Sequence, residues 1–281
     1  MNLSDYFSLI DPLKKLCKEV SVYICRCYKD SSFKESRRKS DGTPLTDVDL
    51  KAHLMLVKGL AAICPNIPVL SEESTISELD KRLEWTQLWI IDPLDGTREF
   101  LNETGDFTIN LALVEDGRPV LGIIYQPLLD LCYLGLVGVG AWRLRSGDLP
   151  GGGLEIKAKS TTKKSISVLS SRSSAGLVFE KYFDWLKTRY FEVDLLKYGA
   201  AVKFIKLIEG VADIYPRFSA CCEWDVAAGD ALVHAAGGVL VGLDGLPLKY
   251  NARQTFISEP FVAVRDPNFS LLPQSIEFFS A

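Results

Sequence analysis

Apolar positions recur at helical spacing from the start of the chain. Leu3, Phe7, Ile10, Leu13, Cys17, Val20, Ile24 and Cys27 line one face of a predicted first helix. The polar stretch SSFKESRRKSDG follows and reads as a loop. Its basic run KESRRK is either a phosphate-attracting patch or a solvated face. A second helix starts near Thr46, with Val48, Ala52, Met55, Leu56, Gly59, Leu60 and Ile63 on its buried side. CPNIP ends it, because proline cannot continue a helix. The period then becomes strand-like. Val69-Leu70 runs into SEES, and the β-type run LWII at 88–91 leads into a DPLDGT turn. TINLALV and VLGIIYQ flank EDGRP as a hairpin, and CYLGLVG and AWRLR extend the antiparallel pattern.

The Gly/Pro-rich segment SGDLPGGGLEI is the natural domain boundary or hairpin tip. Beyond it SISVLS reads as a strand, GLVFEKYFDWLKTRY as a helix and AAVKFIKLIEGVA as a helix followed by DIYPRF. DVAAGDALVHAAGG is a helix closed by glycines, and VLVGL is a strand. This alternation implies an α/β half behind a first half of helices plus an antiparallel sheet. The expectation is an α/β protein of two packed subdomains with a cleft between them. Residues 1–150 form the α+β unit and residues 151–281 the α/β unit that completes the cleft.

At 281 residues, 47% hydrophobic and 24% charged, the chain is long and apolar enough for a sizeable core. Its net charge of −4 argues against a nucleic-acid polymer or a membrane surface as partner, since both attract positive proteins. No uncharged apolar run approaches the ~20 residues of a spanning helix. Asp5 and Asp11 interrupt what a signal peptide would keep apolar. A soluble, cytoplasmic protein is expected. The seven cysteines form no CxxC pair and only two histidines are present, which points to buried thiols rather than a zinc site or a disulfide framework.

The strongest chemical cluster is Asp92-Pro93-Leu94-Asp95-Gly96-Thr97. Two carboxylates can face one point and hold a hard cation such as Mg²⁺, and the N–H groups of a helix start suit a phosphate. The structural alternative is an Asx-type turn with a helix cap. Glu72-Glu73 follows an apolar strand and is either surface decoration or part of a site. Asp225 reads as a helix N-cap, and Asp49 as the acid of a Thr46 capping box. Lys203 fits a solvated helix position and Arg217 a turn-ending ion pair. What unites the acids is position: each lies at a junction between a strand or loop and a helix, where α/β folds gather ligands. Four converging carboxylates repel one another, and a divalent ion relieves that repulsion.

WIIDPLDGTREF resembles the Asp-Pro-hydrophobic-Asp-Gly-Thr signature of the inositol monophosphatase superfamily. EWDVAAGDALVHAAGG resembles that superfamily's Trp-Asp-x-Ala-Ala-Gly motif, LSEES its Glu-Glu element and TDVD its Thr-x-x-Asp element, all in family order. Within it the stretches GTREF, GDFTINLALV, YQP and IYPRF resemble the CysQ-type 3′(2′),5′-bisphosphate nucleotidases. The resemblance implies a layered αβαβα sandwich. It also implies hydrolysis of the 3′-phosphate of 3′-phosphoadenosine 5′-phosphate, a by-product of sulfate assimilation, to AMP and phosphate.

By the same resemblance, two or three Mg²⁺ ions bind Glu72, Asp92, Asp95, Asp225 and the Leu94 carbonyl. Asp49 and Thr97, with Glu72, act on the attacking water. Leu94, Asp95, Gly96, Thr97 and Asp225 hold the phosphate that leaves. Lys203 and Arg217 meet the nucleotide's second phosphate. Li⁺ inhibition is implied as well. Some bacterial relatives are found at the inner face of the inner membrane, although nothing in the chain encodes an anchor. The sequence leaves monomer and homodimer open.

Two departures concern the nucleotide side. Gly199-Ala200-Ala201 stands where relatives tend to have Gly-Ser-Ser, and Ser174 where a His is common. An inositol or histidinol phosphatase of the same superfamily is the nearest competing reading. A haloacid-dehalogenase-type phosphatase requires its second Asp two residues on, whereas here the spacing is three. A non-catalytic nucleotide or metal sensor would not need the full set of motif acids.

Overall fold

The computed structural model describes residues 2–33, 37–38, 44–75, 79, 81–145, 148, 153–157, 165–172, 176–268, 272, 275 and 278. Most of the basic run at 34–39, most of the Gly/Pro-rich segment and Ser174 lie outside the described residues. The elements run α1 (Leu3–Tyr28), β1 (Arg37–Arg38), β2 (Pro44–Leu45), α2 (Asp47–Ile63), β3 (Val69–Ser71), β4 (Gln87–Asp95), α3 (Thr97–Leu101), β5 (Thr108–Glu115), β6 (Arg118–Gln126), β7 (Leu131–Leu136), β8 (Gly140–Arg145) and β9 (Leu154–Ile156). They continue with β10 (Ser165–Ser171), α4 (Gly176–Lys187), β11 (Glu192–Tyr198), α5 (Val202–Ile208), β12 (Ile214–Arg217), α6 (Glu223–Ala235), β13 (Val239–Gly242) and β14 (Phe261–Val264).

Strands β3 to β9 pair in sequence order as a seven-stranded sheet. It is antiparallel except where β3 runs parallel to β4. A five-stranded sheet has the order β11-β10-β12-β14-β13, with β10 parallel to both its neighbours. Strand alternation sorts side chains to opposite faces and so builds two cores on the large sheet. Trp89, Ile91, Leu111, Leu113 and Ile123 face α1 and α2. Leu88, Ile90, Ala112, Val114 and Ile124 face α5 and α6. The small sheet closes the other side of α5 and α6 through Leu169, Tyr215, Leu240 and Phe261. Its outer face packs Ile166, Val168, Val262 and Val264 on Phe179, Tyr182 and Leu186 of α4. The layers are therefore α, β, α, β, α.

The central helix α6 is Ala- and Gly-rich because it lies hard against the large sheet. A Cβ on Gly122 would sit 2.4 Å from Ala228 O, and one on Gly135 would sit 2.9 Å from Leu232 Cα. Small residues on both partners permit that approach.

Some boundaries differ from the sequence expectation, each for a local reason. DPLD is the end of β4 rather than a turn. Helix α6 begins at Glu223, two residues early, with Cys222 as its N-cap and Asp225 as the acid of a capping box. Helix α5 spans only Val202–Ile208, because Ala200 (φ +46°) and Gly210 (φ +77°) hold left-handed backbone on either side. The sequence pattern assigns no element to β11, whose Glu192, Asp194 and Lys197 break the apolar alternation, nor to the four-residue β14. Among the described residues, no helix is long and apolar enough to cross a membrane.

Candidate active site

One end of the layered stack collects strand C-termini and helix N-termini. There Glu72 follows β3, Asp92 and Asp95 end β4, Thr97 opens α3, and Asp49 lies in the first turn of α2. Lys203 lies in the first turn of α5, Arg217 ends β12, and Asp225 lies in the first turn of α6. A cleft of about 770 Å³ opens at this end, and Glu72, Asp92, Asp95, Thr97, Lys203 and Asp225 are among its walls.

The local chain explains how β4 presents two acids. In a regular strand, residues three apart point to opposite faces. Here Asp92 pairs with Asn110 and Asp95 with Thr108, so three steps on β4 match two on β5. The extra residue is a β-bulge, and it turns both carboxylates to the same side. Asp225 joins them from α6: one oxygen from each of the three lies within 4.8 Å of the others. Leu94 N–H donates to Asp92 Oδ1 (3.0 Å), and Asn110 Nδ2 donates to Asp95 Oδ2 (3.0 Å). Cys222 N–H donates to Asp225 Oδ2 (2.8 Å). The Asx-type turn and the capping box are thus present, and they aim the carboxylates.

Burial raises the pKa of Asp92 well above the usual carboxylate range, and the charges of Glu72, Asp95 and Asp225 raise it further. Burial likewise raises Asp225, with help from Asp95 and Glu72. It raises Asp95 too, against the pull of Lys203 and the Asn110 hydrogen bond. Three oxygen-only donors that resist sharing one small space as anions suit a hard divalent cation. The donor set therefore fits a metal.

Asp49 and Thr97 meet although 48 residues separate them. Thr97 Oγ1 donates to Asp49 Oδ1 at 3.0 Å. The other carboxylate oxygen, Oδ2, accepts from Thr46 N–H (2.7 Å) and from the Thr46 hydroxyl. Burial raises the Asp49 pKa against these hydrogen bonds. The buried Leu94 presents its carbonyl to Thr97 Oγ1 at 3.4 Å. Gly96 has φ +95°, and a Cβ there would sit 2.9 Å from Asp106 O. Only glycine fits that turn. Ala200 packs on it, its Cβ 3.1 Å from the same point.

Lys203 is buried, and burial lowers its pKa to about 8 against the attraction of Asp95. Arg217 is tied to Ser219 O, Ala220 O and Ser171 Oγ. The site residues expected from the sequence line one cleft except Asp49, which is buried and touches it through Thr97; Glu72 lies outside the tight triad but close enough to act on its charges.

The sequence pattern gives no role to Asn110, Asp106 or Arg172. Asn110 carries a readable signal, a polar residue at a buried position of the apolar strand TINLALV. The salt bridge of Arg172 with Asp106 (2.6 Å) joins residues 66 apart and leaves no local trace.

A sequence profile of the inositol monophosphatase family matches residues 7–266. The 3′(2′),5′-bisphosphate nucleotidase CysQ of Salmonella typhimurium is 34% identical over 257 residues, covering 90% of this chain and 98% of that protein. The protein of the same name from Buchnera aphidicola is 35% identical over 265 residues, covering 91% and 93%. The crystal structure of CysQ from Bacteroides thetaiotaomicron superimposes with a TM-score of 0.76 at 31% identity, covering 90% of this chain and 96% of that one. The chain belongs to the inositol monophosphatase family.

Proposed function

We propose that the chain is a 3′(2′),5′-bisphosphate nucleotidase. It removes the 3′-phosphate of 3′-phosphoadenosine 5′-phosphate, leaving AMP and phosphate, with Mg²⁺ as cofactor. The observation that carries this reading is the gathering of acids and cations in one cleft. The carboxylate triad, with Asp92 buried and Asp95 and Asp225 half-buried, and the cations Lys203, Arg217 and Arg172 all line it. About 770 Å³ suits a ligand of nucleotide size. Relatives that bear the nucleotidase name and match nine-tenths of the chain support the same choice.

In this reading Glu72, Asp92, Asp95 and Asp225, with the Leu94 carbonyl, hold two or three Mg²⁺ ions. Such ions acidify a neighbouring water and neutralise charge on the phosphate and leaving oxygen. The chain's own residues do the rest. Thr97 Oγ1 accepts a proton from the attacking water while its own proton passes to Asp49 Oδ1, along the 3.0 Å hydrogen bond. Thr46 fixes Asp49 from behind, so the acceptor does not rotate away. Glu72 orients the water from the cleft edge. Backbone N–H groups at Asp95, Gly96 and Thr97 cradle the phosphate, and Lys203 and Arg217 face the nucleotide. Water attacks in line, without a phosphoenzyme. On the same reading the enzyme works in the cytoplasm on a by-product of sulfate assimilation and is inhibited by Li⁺.

The test is phosphate release from the bisphosphate beside inositol 1-phosphate and histidinol phosphate. A kcat/KM favouring the bisphosphate by ~100-fold, about 2.7 kcal/mol in transition-state binding, is expected.

A further inference from the structure

The cations of the cleft differ in how far protein acceptors already hold them. Lys203 Nζ donates to Ala200 O at 2.6 Å, with Tyr198 O at 3.4 Å. Arg217 is fixed at three points: Nε to Ser219 O (3.1 Å), Nη2 to Ala220 O (3.1 Å) and Nη1 to Ser171 Oγ (2.5 Å). Arg172 differs from both. Its side chain is 43% exposed at the cleft wall, and its Nε (2.8 Å) and Nη2 (2.6 Å) both land on Asp106 Oδ2. A guanidinium has five N–H donors, so three lie outside that contact.

Asp106 does more than hold Arg172. The same Oδ2 accepts Gly199 N–H at 2.9 Å, at the turn that leads into α5 and Lys203. Its backbone carbonyl packs against Gly96 in the phosphate turn. Beyond Arg172 a second hollow of about 450 Å³ shares Ser171 and Arg172 with the main cleft, and Lys187 and Lys197 line it.

We propose that Arg172, aimed by Asp106, receives the phosphate of the substrate that is not cleaved. This rests on the nucleotidase reading and adds Arg172 to Lys203 and Arg217 on the nucleotide side. A phosphate dianion offers more charge and more oxygens than the single carboxylate oxygen on which Arg172 rests, and a guanidinium fork matches it. Asp106 is a positioning residue. It contacts both the turn that cradles the cleaved phosphate and the residue that grips the other, and so sets the spacing between them.

The test compares wild type, Arg172→Gln, Asp106→Asn and the double variant on 3′-phosphoadenosine 5′-phosphate and on 3′-AMP, which lacks the second phosphate. For Arg172→Gln, KM for the bisphosphate rises about 10–100-fold more than KM for 3′-AMP, the range for lost charged hydrogen bonds. Asp106→Asn moves the same ratio less, and the double variant moves it no further than Arg172→Gln. Arg172→Lys, which keeps the charge without the fork, falls between. A wild-type preference for the bisphosphate that survives Arg172→Gln overturns the inference and leaves the nucleotidase reading standing. No wild-type preference over 3′-AMP overturns both.

Discussion

Asp92 and Asp95 lie on one strand, three positions apart, yet both carboxylates turn to the same cleft because the register against Asn110 and Thr108 slips by one residue between them. The site thus depends on a bulge as much as on two acids. The bulge also places Asp95 beside Asn110 Nδ2 and Asp92 beside its own Leu94 N–H.

Replacing Asp92 removes the buried member of three clustered like charges. Asp92→Asn should weaken Mg²⁺ binding in calorimetric titration and lower kcat by about 10²–10³-fold, as expected for lost transition-state electrostatics. Because the triad repels itself without a cation, the same variant should raise the unfolding midpoint of the metal-stripped protein. Near-wild-type turnover would contradict the metal assignment.

Asp49 and Thr97 separate kcat from metal affinity. Asp49→Asn and Thr97→Val each break the 3.0 Å hydrogen bond and should lower kcat about 10²–10⁴-fold, the range for a proton-transfer group, with Mg²⁺ affinity within a few-fold of wild type. Thr97→Ser should recover most of the rate. If Mg²⁺ affinity falls with the rate in Asp49→Asn, the carboxylate is a metal ligand and not a proton acceptor.

Gly96→Ala places a Cβ 2.9 Å from Asp106 O on a backbone at φ +95°. The strain should cost about 1–3 kcal/mol in denaturant unfolding and open the phosphate turn, reducing kcat/KM. Unchanged stability would mean that the turn relaxes freely.

His234 gives a pH signature away from the cleft. Its Nε2 lies 3.2 Å from Asp230 Oδ1, and the hydrogen bond to that buried carboxylate raises the imidazole pKa above 6.5. A raised folded pKa means the histidine's contribution is complete below the unfolded value of about 6.5 and is lost as pH rises through the folded value. The stability gap between wild type and His234→Gln should therefore be widest in mild acid and shrink above neutrality. A gap that widens with pH would reverse the sign.

Much of the fold and most of the site are legible in the sequence. The apolar periods of α1 and α2 and the hairpin around EDGRP read directly from local pattern, whereas the acids of DPLDGT, SEES, TDVD and EWD, each ambiguous alone, are read as a site from their shared junction positions and the family resemblance. Asp49 shows why local pattern alone is insufficient: it looks like a capping acid and is one, while its other oxygen accepts a hydrogen bond from Thr97 at the distant start of α3. The bulge leaves no readable mark, because it is a relation between β4 and β5. The pairing of Arg172 with Asp106 depends on how the two sheets meet. The edge strand β11 is hidden because solvent on its exposed positions permits charge where alternation would otherwise show.

The proposed chemistry joins a metal-holding carboxylate triad, in one cleft, to cations selective for a second phosphate. The decisive assay is phosphate release from 3′-phosphoadenosine 5′-phosphate, inositol 1-phosphate and histidinol phosphate, each with Mg²⁺ and with or without Li⁺. Hydrolysis should require Mg²⁺, be inhibited by Li⁺ and favour the bisphosphate by ~100-fold in kcat/KM. Equal or better turnover of inositol 1-phosphate would keep the carboxylate site and contradict the roles given to Lys203, Arg217 and Arg172.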